Sequence, residues 1–209
     1  MDATVQFRSI VPGDGPALRA LIEGNPSTAP TSFAYDYLSD VVAVHRAFST
    51  ELHGVVAESG ASLIGMAFGD LHRVQWEGHI SQALYVSNLT VDRRYRRRGV
   101  ARGMADYGIG VVDKAWGSDA LLYAAVTEGN ISMGLIGAYS FVATRSIQGG
   151  VVPMLRSAPK LQPELEVREA RHPDLEAIAQ GMNHFYREHN LWSPVSPAVL
   201  GDFLNVEVA

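Results

Sequence analysis

Cysteine is absent from the chain. Disulfides, thiolate metal sites and a cysteine nucleophile are therefore excluded. No apolar run approaches the roughly eighteen residues that a membrane span needs, and the start, MDATVQFRSIVPGDG, has no basic flank ahead of an apolar core. A soluble cytoplasmic protein with no membrane partner is the expectation. Basic charge is also short: 17 Lys and Arg against 22 Asp and Glu leave a net charge of -5. That sign argues against a nucleic-acid partner, whose phosphates need a basic surface. With 47% hydrophobic and 19% charged residues among 209, what remains is a globular chain with one sizeable core and an appendage.

One stretch runs against the overall charge. TVDRRYRRRGVARGMAD, residues 90–106, holds Arg93, Arg94, Arg96, Arg97, Arg98 and Arg102, six of the 17 basic residues. Local charge of this kind in an acidic chain points to a small anionic ligand held at one place.

The surrounding pattern places this stretch between a strand and a helix. Val5 to Ser9 reads as a strand, and PGDGPALRALIEG as a helix capped by Asp14, with Pro16 in its first turn and Gly24 as its stop. A second helix is expected over SFAYDYLSDVVAVHRAF. HGVVAE, the turn SGAS and LIGMAFGDLHRV predict a hairpin, and after a polar loop ALYVSNLTV predicts a third strand ending at Val91. Then comes GVARGMADYGIGVVDKA, a helix whose glycines at 103, 108 and 110 call for close packing on the sheet. ALLYAAV predicts a buried strand, residues 131–138 a short helix, and FVATRSI with VVPML a final hairpin around QGG.

An anion fits the loop for a physical reason. Helix amino termini carry unpaired N–H groups and about half a positive charge. Glycine at 99 and a small residue at 101 let that backbone approach a pyrophosphate closely, and arginine side chains add charge-assisted bonds. Arg93 and Arg94, on the outer turn, are expected in solvent or near a more distal phosphate.

The spacing Arg96, Gly99, Ala101 and the flanking LTVDRRYRRRGVARGM resemble the acyl-CoA loop of the GNAT superfamily of N-acyltransferases, with arginine replacing the usual proline at 94. Element order, Asn130 after the ALLYAAV strand and Phe141 in the next segment fit the same family over about residues 5 to 156. The resemblance implies an α/β GNAT fold, a mixed and mostly antiparallel central sheet flanked by helices. It implies acetyl-CoA as co-substrate, no metal, and transfer to a small-molecule or peptide amine in a ternary complex. Leu89, Thr90 and Val91 would contact the acyl and pantetheine groups. Arg96, Arg97, Arg98, Gly99, Val100, Ala101 and Arg102 would hold the pyrophosphate, and Asn130 the cofactor arm.

The chemical groups are less completely matched. The family's glutamate base falls on Tyr85 here, and Glu77 and His79 are alternatives through water. The family's tyrosine acid falls on Ile136 or Gly137. Tyr139 is the nearest phenol and Ser132 a weaker candidate. A non-catalytic acyl-CoA-binding module with an assembly or regulatory role is the alternative function.

Residues 1–158 are read as the GNAT domain, 159–165 as a linker and 166–209 as an extension resembling the start of a second repeat. VREARHPDLEAIAQGM aligns without gaps on FRSIVPGDGPALRALI, pairing Arg168 with Arg8 and Asp174 with Asp14. The extension is expected to form a strand and two helices that cover a sheet edge or a second copy of the chain, as in a homodimer.

Overall fold

The computed structural model describes residues 4–26, 40–49, 51–117, 119–130, 132–144, 146 and 166–204. Its centre is a five-stranded sheet in sequence order: β1 (Val5–Ser9), β2 (Glu51–Ser59), β3 (Ser62–Trp76), β4 (His79–Val91) and β5 (Leu121–Tyr123). The first three pairings are antiparallel, and only β4 and β5 run parallel. Helices α1 (Gly15–Glu23) and α2 (Val41–Phe48) cover one face, where Leu18, Leu21, Val41 and Val42 meet Val56, Met66 and Phe68. On the other face α3 (Val100–Trp116) sets Val100 and Met104 against Val55, Ala57 and Ile64.

Local chemistry explains the element ends. Asp40 starts α2 by accepting from the N–H groups of Val42 and Ala43, at 2.8 and 3.1 Å. Asp14, expected to cap α1, instead accepts from Val11 N at 2.9 Å and closes a single turn over Pro12–Asp14. Its carboxylate is held there by a two-pronged pair with Arg8, both bonds 2.8 Å. In α3 the Phe7 ring lies where a side chain on Gly103 would be, and Val55 comes within 3.5 Å of the same point on Gly108. A separation of 3.5 Å is ordinary contact and Gly110 faces open space, so packing demands only one of the three glycines, Gly103.

The polar segment expected as a loop before β4 is instead a tight turn. Glu77 and Gly78 both take positive φ, 48° and 85°, and strand pairing resumes at once with Trp76 opposite His79. The β3–β4 hairpin therefore projects beyond β2, whose last pairing is Glu51 with Leu71.

The open edge of that projection is met by the C-terminal part of the chain. Gln75 exchanges backbone hydrogen bonds with Trp192 and Leu191, both 2.8 Å, and Ser193 Oγ donates to the Arg73 carbonyl at 3.0 Å. The further helices are α4 (Met133–Ala138), whose Leu135 lines the cavity described below, and, in the extension, α5 (Leu175–Tyr186) and α6 (Pro197–Leu204), which pack on one another. The expected strand before α5 does not form: residues 166–171 are without strand pairing among the described residues. Arg168 and Asp174 nevertheless pair as Arg8 and Asp14 do, at 2.6 and 2.7 Å, and Arg171 N donates to Asp174 as Val11 N does to Asp14. Phe141 to Thr144 form no strand, and the rest of the expected final hairpin and the linker at 159–165 lie outside the described residues, residue 146 excepted.

Candidate active site

Two features of β4 and β5 create the site. The strands pair only from Ala83 with Leu121 to Tyr85 with Tyr123, and then diverge. Just past that fork, β4 carries one extra residue: Met66 and Phe68 face Thr90 and Ser87, with Asn88 at φ 52° in between. Such a bulge takes peptide groups out of the ladder, and Ser87, Asn88 and Leu89 all border the gap between the strands.

The gap widens into a cavity of about 330 Å³. Val86 to Leu89 line one wall and Ala124 to Thr127 the other, with Ala101, Met104 and Gly108 of α3 behind. Val42 and Arg46 of α2 close it from the opposite side of the sheet. Leu89, Ala101, Asn130 and Tyr139, expected to act together, all line this one cavity, as does Ser132.

At the cavity's α3 end stands the arginine loop. Gly99, at φ 81°, precedes α3, and the space beside its Cα is open. The first helical bond runs from Gly103 N to Gly99 O at 2.9 Å. The N–H groups of Val100, Ala101 and Arg102 therefore have no helical acceptor, the arrangement that suits a phosphate.

Several arginine side chains are already engaged within the loop. Arg96 Nε donates to the Val91 carbonyl at 3.1 Å, so this side chain braces the strand end. Arg94 pairs with Asp92 at 2.7 Å, and the Arg98 guanidinium lies 5.6 Å from the centre of the Tyr95 ring. The backbone N–H groups at the start of α3 carry no helical engagement. Arg97, at φ 61°, belongs to the same turn. Thr90 and Val91 sit in the ladder opposite Met66 and Gly65, outside the cavity wall.

The three expected catalytic side chains are separated. Glu77 occupies the hairpin tip, where its N–H donates to Asn190 Oδ1 at 2.9 Å. His79 opens β4, and the ten residues from there to Leu89 span about 33 Å of strand, so neither side chain reaches the bulge. Tyr85 stands at the closed end of the fork against Tyr123, with ring centres 5.1 Å apart. Tyr139 alone of the three lines the cavity. Its hydroxyl lies 2.6 Å from Asp106 Oδ1, and burial together with that carboxylate raises its pKa. Asn130 Oδ1 accepts from Ser132 N and Oγ at 2.9 and 2.8 Å, which leaves its amide nitrogen directed elsewhere.

Sequence reasoning passed over Asn88 and His45. Asn88 Nδ2 and His45 Nε2 are 2.8 Å apart, and the imidazole stacks on Phe68 at 4.1 Å. Burial depresses the His45 pKa and Asp70 partly offsets it. The available signal was an asparagine inside an otherwise β-branched and aromatic strand, a residue type that tolerates positive φ. Among the described residues no group of three His, Asp or Glu is arranged to hold a metal, and no helix is long and apolar enough to cross a membrane.

A mixed sheet forked between two parallel strands, with a helix amino terminus at one end of the fork, defines an acyltransferase-type α/β fold. The family model for GNAT acetyltransferases matches residues 19–139, and the chain belongs to that family of enzymes. Among solved structures, the aminoglycoside acetyltransferase AAC(6')-Iy in complex with a bisubstrate analogue is 16% identical, with a TM-score of 0.54 over 73% of this chain and 100% of that one. A Trypanosoma brucei acetyltransferase is 14% identical, with a TM-score of 0.51 over 71% of this chain and 100% of that one. A ribosomal-protein-alanine N-acetyltransferase from Brucella melitensis biovar Abortus 2308 is 15% identical, with the same TM-score and coverage. At these identities the likeness is one of fold. No curated protein matches the sequence.

Proposed function

We propose that this protein transfers an acetyl group from acetyl-CoA to a primary amine of a small molecule, by direct attack within a ternary complex. The observation that carries the proposal is the continuity of the forked cavity with the start of α3, where three N–H groups lack helical acceptors. The residues present fit the co-substrate. Val100, Ala101 and Arg102 N–H groups would bind the pyrophosphate, the exposed edges of Val86 to Leu89 and Ala124 to Val126 the pantetheine arm, and Asn130 the same arm by its amide. Acetyl-CoA supplies an activated thioester.

The chain's own part is binding, orientation and proton handling. A backbone N–H released by the bulge near Asn88 would polarise the thioester carbonyl. Tyr139, the tyrosine of the cavity wall, is kept protonated by its raised pKa and can donate to a departing thiolate. The acceptor enters from the α2 side, past Val42 and Arg46. Like AAC(6')-Iy, whose bound ligand is an acetylneamine conjugate of CoA, the protein would take a small amine.

The binding-module alternative has one observation in its favour: Tyr139 is already tied to Asp106 and the Arg102 carbonyl. Thiol release from acetyl-CoA in the presence of a panel of alkylamines, diamines, amino acids and aminoglycosides separates the two. Amine-dependent release supports transfer. Tight acetyl-CoA binding without release for any amine, unchanged in Tyr139→Phe, supports the module.

A further inference from the structure

A polar cluster on the sheet face opposite α3 has no part in that account. Strand register aligns Asp70, Tyr85 and Tyr123 in one row across β3, β4 and β5. His72 follows Asp70 two residues along the same face, opposite Ala83. The small alanine lets the imidazole pass over β4, so His72 Nε2 comes within 2.7 Å of the Tyr123 hydroxyl. Its Nδ1 lies 3.4 Å from Asp70 Oδ2. The second carboxylate oxygen, Asp70 Oδ1, is buried without a hydrogen-bond partner among the described residues.

This arrangement is costly for a sheet interior. A buried carboxylate oxygen with no donor forfeits its hydration for nothing in return, whereas neighbours on the same strand face, Phe68 and Val74, are fully buried apolar residues. The cluster also abuts the cavity. Phe68, one step along this face from Asp70, lines it, and so do Val86 and Ala124, each one residue past the Tyr85–Tyr123 row.

We infer that Asp70, His72 and Tyr123 form a proton relay serving a cationic alkylamine acceptor, which binds as its ammonium on the α2 side of the fork. The inference rests on the acetyl-transfer reading, since an alkylammonium, with a pKa of about 10, must lose a proton before it can attack. One N–H bond of the ammonium breaks and its proton passes to the Tyr123 oxygen. Tyr123's own proton passes to His72 Nε2, leaving a neutral amine and an imidazolium beside the Asp70 carboxylate. No electrons change hands and the proton count balances. Burial, with help from the Asp70 and Tyr85 charges, pushes the Tyr123 pKa up to about 12, so the phenol relays a proton without resting as a phenolate. Tyr123 is the catalytic residue of the three, and His72 and Asp70 act through it. The groups facing the relay are Tyr85 from β4 and His45 from α2, with Arg46 of α2 lining the adjoining cavity.

The test uses the full chain and the variants Tyr123→Phe, His72→Gln and Asp70→Asn. Each is expected to lower kcat/KM for an alkylamine by about 100-fold or more with acetyl-CoA affinity, measured by calorimetry, unchanged. In Asp70→Asn the acid limb of the kcat/KM profile is expected to move to lower pH, which a purely structural role would not produce. Folded His72→Gln protein with wild-type rate and pH profile would overturn the relay. If wild-type protein turns over no amine, the transfer reading fails separately. The relay is then decided by imidazole nitrogen NMR with propylammonium chloride as probe. Nδ1-protonated His72 whose Nε2 resonance shifts with the probe in wild type but not in Tyr123→Phe supports it, and an unresponsive His72 overturns it.

Discussion

The Tyr139 hydroxyl donates to Asp106 Oδ1 at 2.6 Å, with the Arg102 carbonyl 3.2 Å away, and so ties the end of α4 to α3 at the cavity wall. The bond fixes where the phenol stands, and burial first and then the Asp106 carboxylate raise its pKa. An acid must carry its proton to act, so activity is lost as pH rises through that value. Asp106→Asn leaves the burial but removes the carboxylate that adds to it, and the basic limb of the kcat profile should therefore move part of the way to lower pH. Tyr139→Phe should lower kcat by about 100-fold with little change in acetyl-CoA affinity. Steady-state assays of thiol release check both.

The Arg8–Asp14 pair makes a stability prediction. Asp14 is buried, its pKa lowered first by the Arg8 hydrogen bonds and then by Val11 N–H. A depressed carboxyl pKa contributes stability that is full above the unfolded value of about 4 and is lost as pH falls through the folded value. Asp14→Asn should cost about 2 kcal/mol at neutral pH, and the difference from wild type should shrink in acid. Asp174, held at about 2 by Arg168, is only partly buried and its partner is exposed, so Asp174→Asn should lower the denaturation midpoint less than Asp14→Asn does.

Two glycines of α3 should respond in opposite directions to the same substitution. Alanine gains up to about 1 kcal/mol of helix propensity over glycine. At Gly110 nothing opposes that gain, and Gly110→Ala should stabilise. At Gly103 the methyl would meet the Phe7 ring, and overpacking of about 1 to 3 kcal/mol outweighs the propensity. Paired urea titrations decide it.

Much of this architecture is legible in the sequence because its signals are local. β1 spans Val5–Ser9 as its alternation predicts, Gly24 ends α1, and Arg96, Gly99 and Ala101 stand where strand gives way to helix. The ends of the hairpin arms around Glu77 were not legible, because Gln75, His79, Ser81 and Gln82 are polar and interrupt the apolar alternation. The Asp14 cap was misplaced because the same residue can serve a short turn or the helix after it, and Arg8, distant enough to be ignored in a local reading, decides. The Asp70–Tyr85–Tyr123 row depends on register between three strands, which no single segment encodes.

In the proposed function the start of α3 binds the co-substrate's pyrophosphate through backbone N–H groups. Calorimetric titration of acetyl-CoA into wild type and Gly99→Glu tests it most directly. Glutamate would strain the φ of 81° and set a carboxylate beside the N–H groups of Val100 to Arg102. Saturable binding to wild type, with affinity reduced at least about tenfold in a variant that still unfolds cooperatively, is the predicted result. Equal affinity in the two proteins would contradict it.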